Sequence, residues 1–256
     1  MGDPMADAVR ERDAGETGKT GPEGAEQQGG RRAQRPFWQE LPILVVVALV
    51  LALLLKTFLL QAFSIPSGSM QNTLQLGDRV LVDKLTPWFG AEPERGEVVV
   101  FHDPDGWLDE PLDDPNPLQT ALGFIGLLPP DGEKNLIKRV VGVGGDTVEC
   151  QDDGPLKVNG KALDEPYVFP GNTPCSSDGR GGRFKVTVPE GMLWMMGDHR
   201  QDSEDSRYHQ DDENGGFVPV GAVVGRAVVV GWPVTRWATL PVPDAFDDVP
   251  AAPARR

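Results

Sequence analysis

From Leu41 to Leu55 no residue carries a charge, and from Pro42 the stretch reads PILVVVALVLALLL. Lys56 and Thr57 interrupt it, and Phe58-Leu59-Leu60-Gln61-Ala62-Phe63 continues it. As one helix, Leu41 to Phe63 spans about 34 Å, enough to cross the hydrocarbon core of a bilayer. The chain is therefore expected to carry a single anchor over residues 37–63 and to touch a lipid bilayer. Lys56 would lie near one end, where its stem can reach the headgroups. Arg31, Arg32 and Arg35 stand just before the run. Counting cations near the span places the N-terminus in the cytoplasm and the remainder outside a plasma membrane. Cleavage at Ala62-Phe63-Ser64 is the rival reading, but a leading region of about forty residues, rich in acids, suits an uncleaved anchor better.

The formal net charge of −15 argues against a nucleic-acid partner, which needs a basic patch for phosphates. His102, His199 and His209 show no metal-ligand spacing, so neither metal nor cofactor is expected. The two cysteines, Cys150 and Cys175, both follow the apolar run. In an oxidising compartment they could pair, but spacing alone leaves two free thiols equally open.

With 31 Gly and 24 Pro, the chain favours loops and strands over long helices. Residues 1–36 have almost no large apolar side chains and read as a disordered tail. Short strands are predicted at Arg79–Leu85, Glu97–Phe101, Leu136–Val141, Asp146–Cys150, Phe184–Val188, Met192–Met196 and Val223–Val230. Leu156 to Leu163 carries Asn159-Gly160 between apolar flanks, a strong hairpin signal. The fold class is thus mostly β, an antiparallel domain over 64–240 with a smaller β insertion at about 150–190. Asp103 to Glu133 breaks the pattern, being acidic and Pro-rich, then apolar over Leu118 to Leu128. It reads either as a surface loop with one packed patch or as a segment dipping into a bilayer interface. The tail over 241–256 reads as disordered.

Ile65-Pro66-Ser67-Gly68-Ser69-Met70 sets two hydroxyls on a Pro/Gly-shaped turn just past the anchor. A serine hydroxyl attacks only after a base takes its proton. A histidine base is available in His199 with Asp198 or Asp202, but Ser69 lacks the G-x-S-x-G elbow. A carboxylate is too weak to be a common partner for serine, and a lysine kept neutral by burial is the third option. Strand alternation puts Lys138 on one face with Leu136 and Val140, and Arg139 on the other. Lys84 has the same pattern with Val80 and Val82, so alternation does not choose between the two lysines.

Four blocks in order resemble the bacterial type I signal peptidases, membrane-bound Ser/Lys enzymes that remove signal peptides. Ser67-Gly68-Ser69-Met70, with Leu74 and Gly77-Asp78, is similar to the nucleophile block. Arg95-Gly96-Glu97-Val98-Val99-Val100-Phe101 is similar to the strand that follows. Lys138-Arg139-Val140-Val141-Gly142, with Gly145-Asp146, resembles the general-base block. Gly197-Asp198-His199-Arg200, Ser203, Asp205-Ser206-Arg207 and Gly216-Phe217-Val218-Pro219 resemble the last.

The resemblance implies Ser69 as nucleophile, Lys138 as base, and the Ser67 hydroxyl with the Ser69 N–H as oxyanion hole. It implies that Ser203 aims the lysine and that Asp205 and Arg207 form a supporting ion pair near Arg139. It also implies Ile65, Pro66, Val100 and Ile137 along shallow pockets for Ala-x-Ala sites in secretory preproteins. The chain departs from the family at His199, where Asn is usual and which reads as a loop variant. Gly144 stands in place of a common Pro, implying a looser turn, and His209 to Gly215 is a short insertion that could shift the loop holding Ser203. Two other readings compete. Self-cleaving repressors share the dyad but carry a DNA-binding domain, whereas a membrane-anchored β protein that only binds partners would not need Ser69, Lys138, Ser67 and Ser203 together.

Overall fold

Residues 98–101 of β3 (Val98–His102) are buried on both faces, so this strand lies at the centre of the sheet that organises the molecule. The computed structural model describes residues 37–58, 60–85, 90–104, 106–108, 134–151, 154–175 and 183–252. The chain divides into two units, Met1–Ile43 and Leu44–Arg256. Helix α1 (Phe37–Phe58) has 22 residues, about 33 Å at 1.5 Å per residue. Its described side chains run from Glu40 to Leu51, and Ile43, Leu44 and Leu49 are each more than half exposed. Among the described residues no helix is long and apolar enough to cross a membrane.

The apolar run does not continue as one helix to Phe63. Leu60–Ser64 forms strand β1, paired antiparallel with β2 (Arg79–Asp83). The cause is visible in the burial pattern: Phe63 and Ile65 turn inward while Ala62 and Ser64 face out, the two-residue period of a strand.

The main sheet runs β1-β2-β11-β3-β4-β9-β10, all antiparallel, and β12 (Ala238–Thr239) pairs with β11 (Val223–Trp232). β4 is Asn135–Gly142, β9 is Met192–Met196 and β10 is Val218–Pro219. One face buries Phe63, Met70, Leu74, Val98, Val100 and Ile137. The other buries Val99, Phe101, Trp107, Val140, Leu193 and Met195. Both faces of β3 and β4 are therefore dry, which is the setting a desolvated lysine needs.

A second sheet, β7-β6-β5-β8, forms the insertion from β5 (Thr147–Cys150), β6 (Lys157–Val158), β7 (Lys161–Ala162) and β8 (Phe184–Thr187). Asn159 and Gly160 take the two positive φ values, 53° and 81°, that a tight two-residue hairpin requires. Cys150 and Cys175 are bonded to each other, with Cα atoms 5.5 Å apart.

The tail beyond residue 240 is not disordered where it is described. Phe246 and Val249 are buried in the core of the second sheet, and the Pro250 carbonyl accepts a hydrogen bond from Asn159. Two apolar side chains with a place to bury outweigh the Pro/Ala-rich composition around them. Residues 1–36 and the Leu118–Leu128 patch lie outside the described residues.

Candidate active site

The turn that carries Ser69 is held from below. Ile65, Met70 and Leu74 are buried, the Ile65 N–H donates to the Asp78 carbonyl at 2.9 Å, and Gln71 N–H donates to the Gly68 carbonyl at 2.9 Å. Apolar anchors on both sides leave Ser67 exposed and Ser69 5% exposed. The two hydroxyls lie 3.2 Å apart.

Ser67, Ser69, Lys138 and Ser203 line one cleft of about 360 Å³, with Trp107, Leu136, Asp202 and Tyr208 among its other walls. Lys138 is 3% exposed on the inner face of β4, and Val99 faces it across the strand pair. Burial pushes its ammonium down from 10.5 to about 8. Asp205 opposes that shift, Arg207 reinforces it, and Glu204 and Asp202 oppose it more weakly. Desolvation dominates because the carboxylate that opposes it most, Asp205, is already committed to Arg207.

That pair is fully buried: Arg207 Nε donates to Asp205 Oδ1 at 2.8 Å and its Nη2 to Oδ2 at 2.9 Å. Burial alone would raise the Asp205 carboxyl, but Arg207, the Gly197 N–H and Lys138 together hold it below its ordinary value. The Ser203 hydroxyl donates to the same Asp205 Oδ2 at 2.8 Å. Arg139 is elsewhere. It is bound bidentately by Asp198 at 2.8 and 2.7 Å, donates to the Gly96 carbonyl and lies over the Tyr167 ring. It shares no ion pair with Asp205, because alternation along β4 turns it to the face opposite Lys138.

Lys84, the other lysine with the right alternation, is half-buried and donates to Gln61 at 3.1 Å across the edge pair β1–β2. Among the described residues it is Lys138 alone, of the two, that shares a cleft with Ser69. His199 stacks on Phe169 with ring centroids 4.1 Å apart, while Asp198 is taken by Arg139. Its backbone N–H donates to the Ser69 carbonyl at 3.0 Å.

Ile65, Val100 and Ile137 come together in one buried cluster on the Arg139 side of the sheet, and Pro66 is exposed beside Ser67. None of the four lines the cleft described above. The turn after β4 is not loose either. The Asp146 carboxylate is gripped by Arg95 at 2.6 Å and accepts the Val143 N–H at 2.9 Å.

Sequence reasoning missed how the insertion braces this site. Arg200 forms a buried pair with Glu165 and donates to the Pro174 carbonyl. Phe169 N–H donates to the Asp198 carbonyl, and Asn172 exchanges two hydrogen bonds with Gln201. Asn72, at φ 86°, extends its amide to the Tyr167 carbonyl at 3.0 Å. Segment 165–174, tied down by the Cys150–Cys175 bond, thus supports both the Ser69 turn and the 197–202 loop. Long-range side-chain pairs of this sort have no local signature. Gly197 did: it stands in the last matching block, and any side chain there would collide with Ser203 and with the Ser69 carbonyl.

A family model described as signal peptidase, peptidase S26 matches residues 38–232. The chain is 40% identical over 252 residues to a probable signal peptidase I of Mycobacterium leprae, covering 87% of this chain and 85% of the relative. It is 41% identical over 233 residues to a signal peptidase I of Mycobacterium tuberculosis, covering 82% and 78%. A crystal structure of a signal peptidase I from Enterococcus faecalis aligns at 26% identity and a TM-score of 0.33, over 53% of this chain and 96% of that one. With a family match across most of its length, the chain belongs to the signal peptidase family, peptidase S26, and is a serine peptidase and hydrolase by that membership.

Proposed function

We infer that this chain is a membrane-anchored endopeptidase that removes signal peptides from exported preproteins after small-x-small sites, using Ser69 and Lys138. The observation that carries the reading is the shared cleft: a sheltered hydroxyl and a buried amine whose proton is lost near pH 8. In this mechanism Ser69 Oγ attacks the scissile carbonyl carbon and its proton passes to Lys138 Nζ. The Ser67 hydroxyl and the Ser69 N–H hold the oxyanion, an interaction typically worth about 10²–10³ in rate. Collapse expels the new amino terminus, which takes the proton from Lys138, and leaves the signal peptide esterified to Ser69. Water then attacks the ester as Lys138 takes its proton, Lys138 returns that proton to the departing Ser69 Oγ, and the signal peptide leaves as a carboxylic acid. Ser203 and the Asp205–Arg207 pair set the electrostatics around the amine.

The preference for small residues is assigned to a wall whose exposed member is Pro66, backed by the buried cluster of Ile65, Val100 and Ile137. A packed wall admits a methyl group and excludes longer side chains by clash. The substrate would lie along it as an extended strand. Anchoring is assigned to α1, whose described apolar side chains point outward and which follows Arg31, Arg32 and Arg35. A catalytic domain outside the cytoplasm suits the Cys150–Cys175 bond.

Cleavage of a preprotein by the detergent-solubilised protein tests the assignment. Ser69→Ala and Lys138→Ala should each abolish product, whereas His199→Ala should retain it. Activity that survives Lys138→Ala and vanishes with His199→Ala would replace the dyad by a histidine-based mechanism.

A further inference from the structure

Trp107 stands on the cleft wall shared by Ser69 and Lys138, yet nothing in the proposed chemistry uses it. It is 5% exposed, and its indole N–H has no partner among the described residues. A phenylalanine would fill much of the same space without burying an unpaired donor. The ring is also fixed with unusual care. His209 stacks flat on one face, with centroids 4.3 Å apart and an interplanar angle of 3°, and Phe101 meets it edge-on at 6.0 Å. His209 is itself oriented by Asp212, 2.7 Å from its Nδ1. The backbone beneath is pinned by the Asp103 carboxylate, which accepts the Trp107 and Leu108 N–H groups at 2.7 and 3.1 Å. The Lys134 ammonium holds the Leu108 carbonyl at 2.5 Å.

His209 and Asp212 both belong to the insertion that sets this chain apart from the pattern its other blocks follow. The insertion therefore delivers a stacking partner to the cleft wall and leaves the loop that carries Ser203 bonded to Asp205.

We propose that Trp107 is a specificity-determining residue, an aromatic wall against which a substrate side chain flanking the scissile bond packs, with His209 as its positioning residue. The inference rests on the peptidase reading of the same cleft. A rigid indole held between neighbours discriminates by shape: it accepts side chains that fit against the part it presents to the cleft and refuses those that need the space it occupies. Removing it should widen the range of residues accepted at one substrate position and leave the chemical step in place.

The test uses the full-length protein in detergent and a panel of preproteins varied one position at a time, from three residues before the cut to two after it. Trp107→Ala should change the kcat/KM ratio between small and bulky residues at one position by tenfold or more, with kcat on the parent preprotein reduced less than tenfold. His209→Ala should shift the same ratio in the same direction. His209→Phe, which keeps a flat stacking partner, should restore it. A uniform loss across the panel, or ratios identical to the parent protein, would overturn the proposal. If the parent protein showed no cleavage that depends on Ser69, the peptidase reading would fall first and this inference with it.

Discussion

Lys138 is held where a charge is poorly solvated, and its titration follows from that. Its ammonium is pushed down from 10.5 to about 8 by burial, so the amine is the neutral base only above that range. On the proposed mechanism, the kcat/KM for a preprotein should fall about tenfold per unit as pH drops below 8, because a protonated Lys138 could not accept the Ser69 proton. A flat profile down to pH 5 would exclude a lysine base. Stability carries the opposite mark. The folded protein binds the Lys138 proton more weakly than the unfolded chain does, so folding is penalised most below about pH 8. That penalty is relieved as pH rises from about 8 toward 10.5. Replacing the amine by a thioether of similar length removes the penalty. Lys138→Met is expected to gain about 2–4 kcal/mol at pH 7 in a denaturant titration, while losing activity. No gain, or a loss, would mean that the lysine is not desolvated. Strand alternation exposed this residue as one of two candidates in the sequence. Separating it from Lys84 required knowing which strand is central and which lies on an edge, and that is a property of the sheet.

The strands were the readable part of the chain, since Gly, Pro and Asn-Gly punctuation brackets short apolar runs. β3, β4, β5 and β9 each lie within a residue or so of their expected bounds. β1 was hidden because its alternation begins inside an apolar run that satisfies a helix equally well. The 197–208 loop was legible as a set of residue types but not as a network. Asp198 serves Arg139, and Asp205 serves Arg207, Ser203 and the Gly197 N–H at once. Gly197 is where this network meets the turn that carries Ser69. Gly197→Ala should lower kcat/KM by at least a hundredfold, since a methyl group there displaces either Ser203 or the Ser69 carbonyl. Wild-type kinetics in that variant would show that the loop and the turn move independently.

The larger unit, Leu44–Arg256, is closed by its last described residues. Phe246 packs under Gly96 and stacks on Tyr167 at 6.3 Å, and Val249 completes the core of the second sheet. Ending the chain after Leu240 should cost about 3 kcal/mol or more, measured as a lower denaturation midpoint, because two buried apolar side chains are lost. An unchanged midpoint would make the tail a passenger. The order of the parts along the chain has one more effect. The alcohol is made early and the amine midway, but the dry wall around the amine comes from β9 and from residues 201–208. On the proposed mechanism, a ribosome-bound fragment that stops short of β9 would hold both reactive groups, yet its amine would be wetted and keep its proton. On the proposed mechanism, a newborn molecule would cut neither its neighbours nor itself until residues 192–208 have folded home.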